Sequence, residues 1–62
     1  MDDHIGKLVE VTWRTGYVSI CQVVETNDTH IKMRDYLFRD TFARASWKHR
    51  DHIINMTPLL KH

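Results

Sequence analysis

The chain has 62 residues, a formal net charge of +1 and a single cysteine, Cys21. This length admits one domain, residues 1–62, and a domain so short buries a smaller fraction of its surface than a typical one; with an intrachain disulfide excluded, association with other chains is the natural source of extra stability. The content of 42% hydrophobic and 27% charged residues is that of a globular protein, and no apolar run nears the roughly 20 residues of a membrane span. The polar, acidic start Met1-Asp2-Asp3-His4 matches neither a signal peptide nor a basic transit peptide, so a cytoplasmic location is expected.

Residues 7–14 alternate, with Val9, Val11 and Trp13 on one face and Glu10, Thr12 and Arg14 on the other, the period of a half-buried strand. Thr15-Gly16 then supplies a hairpin turn, because glycine tolerates positive φ. A second strand is expected from about residue 17 to 25, with Val18 and Ile20 on one face. Val23-Val24 puts apolar side chains on both faces, which a bulge near Cys21 or Gln22 would reconcile. Thr26-Asn27-Asp28-Thr29 reads as a turn, and residues 30–34 as a third strand with Ile31 and Met33 inward and His30, Lys32 and Arg34 outward.

Residues 35–40 place Tyr36-Leu37-Phe38 between charges and would extend a hairpin, packing against it or against a neighbouring subunit. A fourth strand is expected over 42–47, a polar turn over 48–51 and a fifth strand over 52–57, stopped by Pro58. Five short strands with almost no helix imply an all-β, small, closed or partly open barrel.

Charge is spread unevenly. Residues 1–28 hold Lys7 and Arg14 against five acidic side chains, a net of −3, whereas residues 29–50 hold six basic side chains against Asp35 and Asp40, a net of +4. Two readings are compatible with this polarity: a solvated surface with scattered charges, or a local patch that attracts phosphate.

The stretch Gly6-Lys7-Leu8-Val9-Glu10-Val11-Thr12-Trp13-Arg14-Thr15-Gly16 resembles the opening motif of the Sm-like family, the Sm, LSm and Hfq proteins, in which a glycine precedes a V-x-V strand and a second glycine makes the hairpin. Gln22-Val23-Val24-Glu25 resembles the family's bent second strand, and Asp28-Thr29-His30-Ile31-Lys32-Met33 the D-x-H-M-N-L pattern of archaeal members. Ser46-Trp47-Lys48-His49 is similar to the Tyr-Lys-His run of the Hfq branch, and Ile54-Asn55-Met56-Thr57-Pro58-Leu59-Leu60-Lys61 to the last strand of the D-type Sm core proteins. The chain departs from the family at Cys21, where a small glycine is usual, at Lys32, where the uracil-binding loop carries asparagine, and at residues 1–5, to which the N-terminal helix is reduced.

What the resemblance implies is a five-stranded, strongly bent antiparallel SH3-like barrel (the Sm fold) with a vestigial or absent N-terminal helix, assembled into a homo-oligomeric ring through edge strands 42–47 and 52–57. Single-stranded RNA would be bound at loops lining a central pore, in RNA processing or regulation. Asp28, His30 and Lys32 on one loop, and Lys48, His49 and Arg50 on the other, would be the RNA-binding residues. A carboxylate accepts from a base edge, an imidazole stacks and a lysine neutralises phosphate; the bland alternatives are that Asp28 caps its turn, that His30 is solvated and that 48–50 is a polar hairpin.

Trp13 and Trp47 fall on apolar phases and are assigned to the core or a subunit interface, and Cys21 to a small apolar position. His49 and His52 have a helical ligand spacing but lie in a turn entering a strand, and no nucleophile or carboxylate joins a histidine in a hydrolytic pattern. Neither catalysis, nor a metal, nor a cofactor is therefore expected. The rival readings are an SH3-like protein-interaction module without nucleic-acid binding and, more remotely, a small metal-dependent nuclease.

Overall fold

The computed structural model describes residues 4–59. Six antiparallel strands form one sheet: β1 (Leu8–Trp13), β2 (Val18–Thr26), β3 (His30–Phe38), β4 (Thr41–Phe42), β5 (Ser46–His49) and β6 (Ile53–Pro58), with a 3-10 turn, Arg50–His52, between the last two. Both β4 and β5 lie along β3, so the order across the sheet is β4/β5, β3, β2, β1, β6. Among the described residues nothing pairs β4 or β5 with β6, and the sheet is open at both edges.

Among the described residues no helix covers this sheet, yet Val9, Val11, Cys21, Val23, Ile31 and Met33 are buried, with Trp13, Ile53 and Met56 packed against them. A flat sheet is only about 10 Å thick with its side chains, whereas the molecule measures 29 × 26 × 23 Å. The sheet is therefore curled, and its concave face is the core. Of the expected fold, the structure shows the all-β, antiparallel, nearly helix-free part. The N-terminal helix falls partly on residues 1–3, outside the described residues; His4 to Gly6 form a turn, closed by Lys7 N donating to His4 O at 2.9 Å.

The β1–β2 hairpin sets the register. Gly16 N donates to Trp13 O and Trp13 N to Tyr17 O, both at 2.8 Å, and Gly16 adopts φ +93°, the left-handed step after a tight turn that glycine takes without steric cost. The resulting pairs Val11↔Ser19 and Val9↔Cys21 turn Ser19, Cys21 and Val23 inward. The face that Val18 and Ile20 share is thus the outer one: Val18 is exposed and Ile20 half-buried. The register shift in β2 falls at Val24, between Val23↔Met33 and Glu25↔Lys32, rather than near Cys21 or Gln22. It leaves Val23 in the core and Val24 at the surface, as an extra residue in a ladder must.

The expected fourth strand, 42–47, is divided. Tyr36 pairs with Phe42 and Met33 with Ser46, so the three residues 43–45 face only Arg34 and Asp35, and the ladder breaks there. Upstream, β3 runs on to Phe38 and turns through Arg39 and Asp40, so the hairpin extension is real. The strand continues to His49, which moves the turn expected at 48–51 to Arg50–His52, and Pro58 ends β6 from inside the strand, paired with Val9 at the sheet edge, where a missing N–H is tolerated. Among the described residues no helix is long and apolar enough to cross a membrane.

Candidate nucleic-acid interface

The β2–β3 loop is built by Asn27. Its Oδ1 accepts from Thr29 N at 2.9 Å, from His30 N at 2.8 Å and from the Thr29 hydroxyl at 3.3 Å, the local bonding that suits asparagine to turns. Asp28 is exposed at the apex of this loop; capping belongs to its neighbour. The Thr29 hydroxyl lies 2.7 Å from His30 Nδ1 and ties the imidazole to the loop.

This loop meets the end of β5. Arg50 N donates to Thr29 O at 2.9 Å, and its guanidinium Nε and Nη2 donate to Asn27 O at 3.0 and 2.8 Å. The His30 and His49 rings, opposite each other in the β3–β5 register, lie edge to face with centroids 4.8 Å apart, and His52 follows 6.0 Å from His49. His49 caps the 3-10 turn by accepting from Asp51 N at its Nδ1, 3.0 Å away. The Asp51 carboxylate is also 3.7 Å from that nitrogen, but an ion pair there needs a protonated Nδ1, which cannot accept the backbone N–H. The shorter contact is the hydrogen bond from Asp51 N, in which Nδ1 accepts.

From this corner a ladder runs up the outer face of β3. Lys32 pairs with Trp47, its Nζ 5.9 Å from the ring centroid. Arg34 stacks its guanidinium 4.2 Å from the Phe42 centroid while its Nε donates to Gln22 Oε1 at 2.8 Å. Each cation sits beside an aromatic face, which attracts it through the ring quadrupole, and Trp47, at 44% exposure, keeps much of its indole open to solvent. Trp47 is thus not a core residue of the single chain.

Of the six residues expected to bind RNA, the structure brings His30, His49 and Arg50 into one corner, with Asp28 at the apex above it and Lys32 on the adjoining face. Lys48 goes elsewhere. It lies in β5 opposite buried Ile31, and its Nζ sits 6.0 Å from the Trp13 ring on the concave side. Asn27, Arg34, Phe42 and Trp47 join the interface without having been singled out as contacts. The alternation of 30–34 already put Arg34 beside Lys32, but Phe42 and Trp47 needed the cross-strand register.

Among the described residues no three His, Cys, Asp or Glu side chains are grouped so as to hold a metal ion. Comparison with family models, curated proteins and solved structures finds no match to this chain.

Proposed function

We propose that the chain is a protomer of an Sm-like, ring-forming assembly that binds single-stranded RNA without catalysing a reaction. The observation that carries this reading is the corner where loop 27–30 and residues His49 and Arg50 join, continuous with the cation and aromatic ladder of Lys32, Trp47, Arg34 and Phe42. Imidazole and indole faces stack on unpaired bases, and Lys32, Arg34 and Arg50 supply positive charge to the phosphates between them. Two open edges, β4/β5 on one side and β6 on the other, favour head-to-tail addition of copies, which removes unpaired backbone groups and repeats the corner around a closed ring.

Binding curves for oligo-U and oligo-A RNA at two salt concentrations test the site. Lys32→Ala should lower the salt slope by roughly 0.7, the value of one phosphate contact on a single strand. His30→Ala should cost about 1 to 3 kcal/mol per stacked base with the slope unchanged. If the wild type binds neither RNA at low salt, or both variants bind as the wild type does, the SH3-like protein-interaction module takes the place of this reading.

A further inference from the structure

On the concave side, away from the His30–His49 corner, the sheet opens into a cavity of about 560 Å³ between the β1–β2 hairpin, the middle of β3 and β5. Its volume lies within the range of small-molecule sites, roughly 300 to 1,000 Å³. Trp13 and Tyr17 give it two aromatic faces, Asp35 a carboxylate, and Lys48 and Arg14 two cations. Core strands do not need this set: Tyr17 is 67% exposed, and among the described residues neither Asp35 nor Lys48 forms a salt bridge although both line one cavity.

The floor of the cavity holds these groups in fixed positions. Trp13 Nε1 donates to Ser19 Oγ at 2.8 Å, Ser19 Oγ lies 3.6 Å from Cys21 Sγ, and the Cys21 thiol donates to Asp35 Oδ1 at 3.2 Å. Burial pushes the Cys21 thiol up to about 11, so at neutral pH it stays a donor and holds the carboxylate. Arg14 is likewise held, its Nε donating to Asp51 O at 2.6 Å. One relay thus fixes the indole plane and the carboxylate together, while Asp35 Oδ2 makes no hydrogen bond among the described residues.

We propose that this cavity binds a guanine nucleotide, its base stacked on Trp13 and Tyr17, its N1–H and N2–H edge donating to Asp35, and its phosphate drawn to Lys48 and Arg14. A flat polar ring matches the aromatic faces, and stacking alone is indifferent to base identity. The carboxylate makes the choice: it accepts only, and guanine is the base whose pairing edge offers two adjacent donors, a charge-assisted and bidentate match. Uracil presents carbonyl oxygens on either side of its single donor and would set one against the carboxylate. The site depends neither on ring assembly nor on RNA binding at the outer face.

The two tryptophans report separately, which makes the test direct. Titration of ¹⁵N-labelled full-length protein with 5′-GMP should move the Trp13 indole N–H signal saturably, with a Kd below about 1 mM, and leave that of Trp47 in place. 5′-UMP should bind at least tenfold more weakly. Asp35→Asn should weaken GMP at least tenfold and erase most of the preference over UMP, Tyr17→Ala should weaken both nucleotides, and His30→Ala should leave GMP binding unchanged. Asp35 and Tyr17 are both exposed, and retained signal dispersion in either variant shows that the fold is intact. The absence of a saturable Trp13 shift at millimolar GMP, equal affinity for UMP, or wild-type affinity in Asp35→Asn would each overturn the proposal. Oligo-RNA binding that persists in Asp35→Asn keeps the outer-face reading separate from the fate of this one.

Discussion

On the inner face of β3, Ile31 and Met33 are buried among Val9, Val11 and Val23, whereas on the outer face of the same strand His30, Lys32 and Arg34 stand half-open beside His49, Trp47 and Phe42. The inner residues have no freedom: with six fully buried side chains among the described residues, each is a large share of the core. The outer ones are held by one or two cross-strand contacts at the surface, and their removal leaves no cavity. One strand thus separates what folds the chain from what is proposed to bind. Among the described residues the separation fails at Asp35 of β3 and at Lys48 of the neighbouring β5, which carry charge into the lining of the cavity.

Substitutions on the two faces should differ accordingly. Ile31→Ala should lower the free energy of unfolding by about 2 to 5 kcal/mol, the range for deleting a large core side chain, enough to unfold a domain of marginal stability; urea denaturation measures it, and a loss under about 1 kcal/mol would mean that the concave face is not the core. The second test is pH. Burial holds the Cys21 thiol protonated to about 11 against 9.0 for an unperturbed thiol, so between those values the unfolded chain releases its proton first. The thiol's contribution is complete below pH 9 and is lost as pH rises toward 11, by up to roughly 1.4 kcal/mol per pH unit. Cys21→Ala should flatten that limb relative to the wild type; parallel curves would place the thiol in water.

The tip of the β3–β4 hairpin should give a smaller effect of opposite sign. Arg39 and Asp40 hold φ of +50° and +60° between paired Phe38 and Thr41, the two left-handed steps of a hairpin turn that Asn-Gly makes readily. Since an L side chain in that region costs roughly 1 to 2 kcal/mol, the double replacement Arg39→Asn, Asp40→Gly should raise the melting temperature by several degrees, and a fall would contradict this geometry. Smallest of all, Lys32→Ala should change stability by less than about 0.5 kcal/mol, and a larger loss would make the outer face part of the fold.

The two hairpins also show where the sequence was legible. Gly16 marks the first turn because its left-handed step falls on the residue type that carries it, whereas the second turn puts the same conformation on Arg39 and Asp40, and no local signal announces it. Alternation in 7–13 and 30–34 identified the inward Val9, Val11, Ile31 and Met33, because the extra residue at each irregular pairing, Ile54 or Val24, lies on the partner strand and leaves the phase of these two segments intact. The phase of β2 is not legible from hydrophobicity, since Val18 and Ile20 are more apolar than Ser19 and Cys21; the hairpin register decides which side faces in. Of the candidate interface, the family resemblance pointed to His30, His49 and Arg50. The partnership of Lys32 with Trp47 and the inward turn of Lys48 depend on which residue of β5 lies opposite which of β3, and that is set where residues 43–45 interrupt the ladder.

Native mass measured with and without oligo-U or oligo-A RNA decides whether the chain is a ring-forming RNA binder. The expected result is a closed oligomer of the 7.4 kDa chain at micromolar concentration, gaining the mass of bound RNA at low salt and losing it as salt rises. A well-folded monomer that takes up neither RNA would contradict it.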